Sequence, residues 1–484
     1  MLFNSVSFAI FLPIVFTAFW ICPQRYRWAV LLIASYYFYM SWNVKYVVLI
    51  LLATFISYIT ALLISRTEKK AKQRIYLASA LVVSLGILFV FKYFNFFSDI
   101  ITSILHFLSF ETEMVVLDVL LPVGISFYTF QAISYVIDVY RGQVEAEKHF
   151  GKYATFISFF PQLVAGPIER TGNLLHQIKK EYIFDYDQAS YGLKLMAWGF
   201  FKKMVVADTM GKWVDFVYGD VYNFVGFSFV LATIMFGIQI YCDFSGYSDI
   251  AIGTAKLFSI DLMQNFCAPY FSASIKEFWS RWHISLSTWF RDYVYIPLGG
   301  NRCNKWRHAR NLLITFLVSG LWHGAAWNYV IWGFLHGIGQ IAEGFLTKHR
   351  RLPGVKDIGK SPIVWIRVIF VFGFTMFAWI FFRISDMNSA SFFFMHVLDG
   401  VGHPWLYIQR GFLHMGIHSE DIANLAIMLA VLFLYDYFSL KMDVLQCIGR
   451  LNIVFRWSIY IAFTLLMGYL LPLNSSGEFI YFQF

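Results

Sequence analysis

Residues 275–337 read IKEFWSRWHISLSTWFRDYVYIPLGGNRCNKWRHARNLLITFLVSGLWHGAAWNYVIWGFLHG. The stretch opens with a Trp/Arg-rich amphipathic segment around His283. It then passes the Pro297-Leu298-Gly299-Gly300 turn and a basic loop. An apolar run, Leu312–Leu317, follows and leads to Trp322-His323-Gly324. A histidine in a span-like segment is costly, so it serves either function or hydrogen bonding between helices. Gly324, Ala325 and Ala326 thin the chain after His323, which lets backbone approach closely. A buried imidazole stays neutral and is suited to take or give a proton. On a helix, His283 shares a face with Trp279 and Ser287, and Arg281, Arg291 and Asp292 lie along the same segment. An interfacial helix explains those Trp and Arg residues but not the histidine.

Working outward, the 484 residues are 59% hydrophobic, 20% aromatic and only 14% charged. A soluble domain carries about 25% charged residues. The chain is therefore predicted to be an all-α polytopic membrane protein. The net charge of +9 sits in short loops between apolar runs, which is the pattern of membrane orientation and not of a nucleic-acid face. Lipid is the expected surroundings, and no nucleic-acid partner is expected. The five cysteines are scattered, without metal-ligand spacing, so no metal site is expected. The first residues carry no basic n-region or small-residue cleavage site and read as a retained span.

A crossing needs roughly 20 mainly apolar residues. Candidates are 5–21, 27–43, 46–65, 75–94, 116–140, 190–208, 226–250, 311–326, 327–346, 362–383, 422–440 and 455–473. The expectation is thus about 11–13 transmembrane helices, with 1–484 as a single membrane domain. Basic loops at Arg25 and Arg27, 66–74, 302–310 and 348–351, then Lys441 and Arg450, alternate with loops carrying Asp99, Glu111, Glu113 and Asp118, Asp215 and Asp220, and Asp386, Glu420 and Asp421. That alternation places both termini outside the cytoplasm. Residues 156–170, with Pro161, Gly166 and Pro167, and residues 265–300 do not read as clean spans. Re-entrant or interfacial helices are predicted there, because irregular backbone at membrane depth must be buried in protein or line a cavity.

Asp243 and Asp249 fall in the apolar run 239–253, with Tyr247 one turn from Asp243. Carboxylates there must pair or line water. Lys202 and Lys203 end an apolar run and read as snorkelling side chains, with phosphate binding as the other reading. Phosphate-loop, dinucleotide, HExxH and GxSxG motifs are absent. His336 and His349 have no local motif around them.

The blocks RWHISLSTWFRDYVYIPLGG and LVSGLWHGAAWNYVIWG, with LPVGISFYTFQAISYVIDVYRG (121–142), FFPQLVAGPIER (159–170) and YCDFSGYSDIAIG (241–253), resemble the membrane-bound O-acyltransferases across 121–337. The resemblance is strongest to the bacterial alginate and peptidoglycan O-acetyltransferase branch. It implies a ring of tilted helices with a thin centre and funnels from both faces. His323 matches the family's catalytic histidine and His283 its second signature histidine. Arg281, Arg291, Asp292, Asp243, Tyr247, Trp322 and Lys202 become candidates for donor binding or for lining the cavity.

The final residues, Phe479-Ile480-Tyr481-Phe482-Gln483-Phe484, resemble a terminal FxYxxF pattern of bacterial envelope-acylation systems, in which the tyrosine carries the acyl group. The competing reading is an aromatic interface anchor. The resemblance implies a bacterial cytoplasmic-membrane enzyme with no bound cofactor. It would take acetyl from acetyl-CoA or another thioester, pass it through Tyr481 in an extracytoplasmic tail (475–484), and hand it to an extracytoplasmic transferase with a serine nucleophile. D-alanyl-type transfer from an acyl carrier protein is the alternative within the family, and a transporter or flippase is the alternative outside it.

Overall fold

The computed structural model describes the chain except residues 111, 120, 348–353, 360, 385, 472–478 and 481–484. Glu111, the basic loop 348–351 with His349, and Tyr481 therefore lie outside the described residues, and of the predicted tail only Phe479 and Ile480 are described. No strand occurs among the described residues. Each of the twelve predicted crossing segments contains a helix. Among the described residues, six helices are long and apolar enough to cross a bilayer: Val44–Arg66, Lys70–Phe107, Phe227–Leu257, Pro362–Arg383, Ser419–Ser439 and Ile453–Leu470. The others fall short for physical reasons. Arg27–Met40 and Ile125–Tyr140 have only 14 and 16 residues. Lys305–His323 begins with Lys305, Arg307 and Arg310, and Trp327–Thr347 is diluted by Asn, Gly, His and Gln.

The described residues form two compact units. The first comprises Met1–Met196 with Ile250–Met263. Its central helix, Ile125–Tyr140, is buried nearly all round, which suits an interior element and not a surface one. The Pro161 region is broken as expected. A helix ends at Ser158, and the four-residue helix Phe160–Leu163 starts with Pro161 in its first turn, where a missing N–H does little harm. The carbonyl of Phe156, left without a helical partner, accepts from Gln131 Nε2 at 2.8 Å and Gln162 Nε2 at 3.0 Å. The Phe160 N–H is satisfied by Ser35 Oγ at 3.0 Å. Further along, the wholly buried Glu169 accepts from the Met263 N–H and from Asn173 Nδ2. Burial pushes its pKa up to about 7, against the pull of those donors and of Arg170. Side-chain amides and a carboxylate thus do the work water would do for irregular backbone.

The second unit comprises Ala197–Asp249 with Gln264–Phe484. Phe227–Leu257 is 72% buried over its most apolar window, whereas Ile453–Leu470 is only 6% buried. The latter leaves Phe455, Ile461 and Leu465 exposed. An apolar face of that kind suits bilayer hydrocarbon. Lys305–His323 and Trp327–Thr347 form an antiparallel hairpin. Their approach is set by two glycines. A methyl on Gly320 would fall on the Tyr329 carbonyl oxygen, and one on Gly333 on the Phe316 carbonyl oxygen. Small residues let backbones come this close in the membrane.

This packing makes a stability prediction. Gly320→Ala lowers unfolding free energy by about 1–3 kcal/mol through overpacking. Gly373→Ala, into open space on a neighbouring helix, is neutral or stabilising by up to about 1 kcal/mol. Thermal unfolding of both variants in detergent checks this.

Candidate active site

All the residues that follow belong to the second unit. The helix Ile275–Arg281 starts at Ser274, whose Oγ accepts the Glu277 N–H at 2.9 Å. Glu343 reaches across to accept the Ile275 and Lys276 N–H groups at 3.2 and 3.1 Å. These acceptors satisfy the open N-terminal turn. The helix then stops. Trp282 is extended, and His283 adopts φ +43°, ψ +55° before a second short helix, Ile284–Phe290. A non-glycine residue in this left-handed region costs on the order of 1–3 kcal/mol and is kept only where the surroundings over-determine it. Asn265 and its neighbours do so. The Asn265 carbonyl accepts the Ile284 N–H at 2.9 Å, and the Cys267 N–H donates to the Arg281 carbonyl at 3.0 Å. Arg281 Nη1 donates back to the Cys267 carbonyl at 3.1 Å.

The Asn265 side chain fixes the imidazole as well. Its Oδ1 accepts from the Ser285 N–H (3.3 Å), Ser285 Oγ (2.9 Å) and His283 Nδ1 (3.1 Å), while Nδ2 donates to Ser248 Oγ (3.2 Å). A backbone N–H can only donate, so the amide oxygen faces Ser285 and His283 must donate from Nδ1. Its lone pair therefore sits on Nε2. Burial pushes the imidazole well below its ordinary pKa, and the nearby His323 adds to this, so the ring is neutral. The single-helix face predicted for Trp279, His283 and Ser287 is not formed. The chain turns at His283 because Asn265 pins it, and nothing in the local spacing announces that partner.

His323 is the last residue of the Lys305–His323 helix, and the chain leaves it through extended Gly324. His323 Nδ1 lies 2.7 Å from the Ser319 carbonyl oxygen. A carbonyl only accepts, so Nδ1 carries the proton and Nε2 the lone pair. Aromatic rings surround the imidazole, with centroids at 4.9 Å for Trp322, 4.8 Å for Trp332 and 5.4 Å for Phe382. The Trp322 indole is also 6.1 Å from the His283 ring, so the two histidines share one tryptophan wall.

The Lys202/Lys203 pair does not snorkel. Both side chains are buried. Lys202 Nζ pairs with Asp249 at 2.6 Å and donates to Ser245 Oγ at 2.9 Å. Lys203 Nζ pairs with Asp243 at 2.7 Å and with Asp208 at 2.9 Å. Asp436 accepts from the Tyr241 hydroxyl at 2.8 Å. Carboxylates on neighbouring helix turns hold the ammonium groups in, where a lone lysine would leave for the interface.

The other oxygen of Asp243 accepts the Ile480 N–H at 2.6 Å. Phe479 and Ile480 are both buried. The Phe479 ring lies 4.7 Å from Tyr247 and 5.9 Å from Phe244, and Phe244 meets His283 edge-on at 4.6 Å. The described end of the chain is therefore seated two ring contacts from His283.

A cavity of about 960 Å³ opens in the same unit, walled by Trp279, Ser287, Ser319 and Phe316, with Arg291 and His308 among its polar groups. Ser319 is the residue whose carbonyl holds His323. Of the predicted set, His283, His323, Trp322, Asp243 and Tyr247 are linked by the contacts above. Arg291 lines the cavity and pairs with Asp292 at 2.8 Å. Arg281 is spent on Glu277 and the Cys267 carbonyl, and Lys202 on Asp249. Sequence reasoning missed Asn265, the buried pairing of Lys203 and the place of His336 in this cluster. His336 is wholly buried and accepts from Trp279 Nε1 at 3.3 Å through its Nδ1, 5.0 Å from the Trp332 ring. Asn265 follows Gln264 just before an apolar turn and gave no local signal, because its partners lie 18 and 20 residues away.

A family model for membrane-bound O-acyltransferases matches residues 23–387. The chain belongs to the membrane-bound O-acyltransferase family. It is 39% identical to the probable alginate O-acetylase of Azotobacter vinelandii, over 81% of this chain and 76% of that protein. It is 35% identical to the peptidoglycan O-acetyltransferase of Helicobacter pylori, over 83% and 80%. Identity to the teichoic acid D-alanyltransferase of Streptococcus thermophilus is 30%, over 51% and 64%. This O-acyltransferase is thus an enzyme, and the transporter reading falls away.

The geometry around Asn265 yields a second prediction. Asn265→Ala strips one acceptor from three buried donors, at about 1–3 kcal/mol of stability. It also lowers acyl transfer by releasing His283. A melting curve and a thioester-consumption assay measure the two effects, and transfer at the full rate would show that His283 needs no fixed tautomer.

Proposed function

We propose that the enzyme transfers acetyl from acetyl-CoA on the cytoplasmic side to an acceptor on the outer side, for O-acetylation of an envelope polysaccharide. The observation that carries this is the seating of Phe479 and Ile480 on Asp243 and Phe244, one ring from His283, in the unit that also holds His323 and the cavity. The Azotobacter and Helicobacter relatives carry the names of an alginate O-acetylase and a peptidoglycan O-acetyltransferase and support the acetyl branch. Charge alternation among the loops favours an outer C terminus.

In this reading the thioester enters the 960 Å³ cavity, with Arg291 and His308 available to its phosphates. Tyr481, directly after the docked Ile480, supplies the nucleophile. The phenolic oxygen attacks the thioester carbonyl and His323 Nε2 accepts the phenol proton. The C–S bond breaks, and the proton passes to the departing thiolate. A phenol ionises near pKa 10, so a positioned base is required at neutral pH. The open carbonyls at the helix end beside His323 favour the imidazolium formed in that step. His283, neutral and fixed, would orient the reacting oxygen. The resulting phenolic ester is a reactive acyl donor, because phenoxide is a good leaving group, and an extracytoplasmic serine transferase would unload it. Only acetyl crosses the membrane. The D-alanyl reading has a specific observation behind it in the streptococcal relative, but that match covers only 51% of this chain.

Mass spectra of the C-terminal peptide after incubation with acetyl-CoA test the reading. Acetyl is expected on Tyr481 in the wild-type protein. In His323→Ala it falls by about 10²–10⁴-fold, the usual contribution of a general base. Tyr481→Phe, which removes one hydroxyl, abolishes polymer acetylation. Normal labelling in the His323 variant would sink the base assignment, and surviving polymer acetylation in Tyr481→Phe would make the tail an anchor.

A further inference from the structure

The second unit gathers four carboxyl groups, Asp208, Asp243, Asp249 and Asp436, around two buried ammonium groups, Lys202 and Lys203, among the described residues. Asp249 has a side chain one-fifth exposed; Asp208, Asp243 and Asp436 are buried. A buried carboxylate is costly unless its oxygens receive donors. With ammonium groups in the minority, other donors must serve. The Tyr241 hydroxyl serves Asp436, and the Ile480 N–H serves Asp243. Asp243 is thereby divided between a fixed partner, Lys203 on Oδ1, and one from the chain's end on Oδ2.

We propose that Asp243, held by Lys203, is the latch of a peptide-docking slot that recognises the C-terminal segment by its backbone N–H at Ile480 and its aromatic ring at Phe479. Asp243 is a positioning residue in this scheme. It touches neither the thioester nor the reacting carbonyl, but sets where the following residue is presented. The slot's ligand class is an extended segment with an aromatic residue followed by an available N–H. The Phe244 and Tyr247 rings form its side-chain subsite. Recognition through main chain plus one ring pocket leaves the next residue unread, so a variable or modified side chain can follow without loss of docking. The role of the slot in acyl transfer rests on the reading of Tyr481 as acceptor; the docking itself does not.

The test uses the full-length chain in lipid nanodiscs. Carboxypeptidase trimming past Ile480, followed by mass spectrometry, is expected to be at least about tenfold faster in Asp243→Asn and Phe479→Ala than in wild type, the scale set by one lost charge-assisted hydrogen bond. His323→Ala, which alters chemistry but not the slot, trims at the wild-type rate. A fluorescent peptide with the sequence of residues 478–484 is then titrated by anisotropy. It binds Phe479→Ala, whose own tail is weakened, and binds Asp243→Asn at least about tenfold more weakly. Equal trimming in wild type, Asp243→Asn and Phe479→Ala overturns the proposal. So does equal peptide binding to Asp243→Asn and Phe479→Ala, which would reduce Asp243 to a structural ion pair. A wild-type tail that is protected yet never acetylated removes the acyl-carrier reading and leaves the docking slot standing.

Discussion

A carboxylate buried at membrane depth must collect its donors from the protein, and Asp243 collects one from Lys203 and one from the backbone of Ile480. Much of the second unit follows from that requirement. Lys203 is drawn inward between Asp243 and Asp208, and Lys202 is drawn to Asp249 beside it. The stretch Phe201–Ala207 that carries both lysines is wound as a π-helix, not an α-helix. That widened turn is where two adjacent lysines find partners on different helix faces. Breaking any one pair would strand a charge, at a cost greater than the pair's own net contribution.

The same logic governs the histidines. Neither imidazole is left to choose its tautomer. Asn265 dictates it for His283 and the Ser319 carbonyl for His323, and each arrangement leaves the lone pair on Nε2. The strained turn at His283 is held by backbone hydrogen bonds to residues 265–267. Strain of this size persists because several independent bonds would have to break together to relieve it. Burial among the Phe244, Phe266 and Trp322 rings keeps His283 neutral and makes any charge formed there depend on protein dipoles.

What the sequence made legible was periodicity and chemical oddity. Long apolar runs such as 362–383 and 422–440 became helices with nearly the predicted bounds, because length and hydropathy act locally. His323 stood out because a lone imidazole in an apolar run needs either a function or a hydrogen-bond partner on a neighbouring helix. Pairings over long sequence separations were not legible. Asp243 with Ile480 spans 237 residues and Tyr241 with Asp436 spans 195, and no local pattern encodes either. The helix drawn through His283 failed for the same reason, since the residue that breaks it lies on a different segment. His336 was passed over because its neighbours along the chain are ordinary; what marks it is the Trp279 indole that donates to it from another helix.

The seating of Phe479 and Ile480 inside their own unit has a bearing on stoichiometry. A segment tethered to its slot is present at an effective concentration that no dilution of the protein lowers. Occupancy is then a property of each molecule and not of expression level. In the proposed carrier role, each polypeptide brings one docked segment to one slot, so a population of these chains would hold no more tail-borne groups than it has chains. Sustained flux would be paced by how often an occupied end is emptied and reseated, and a rival peptide in solution would have to out-compete a neighbour that never diffuses away.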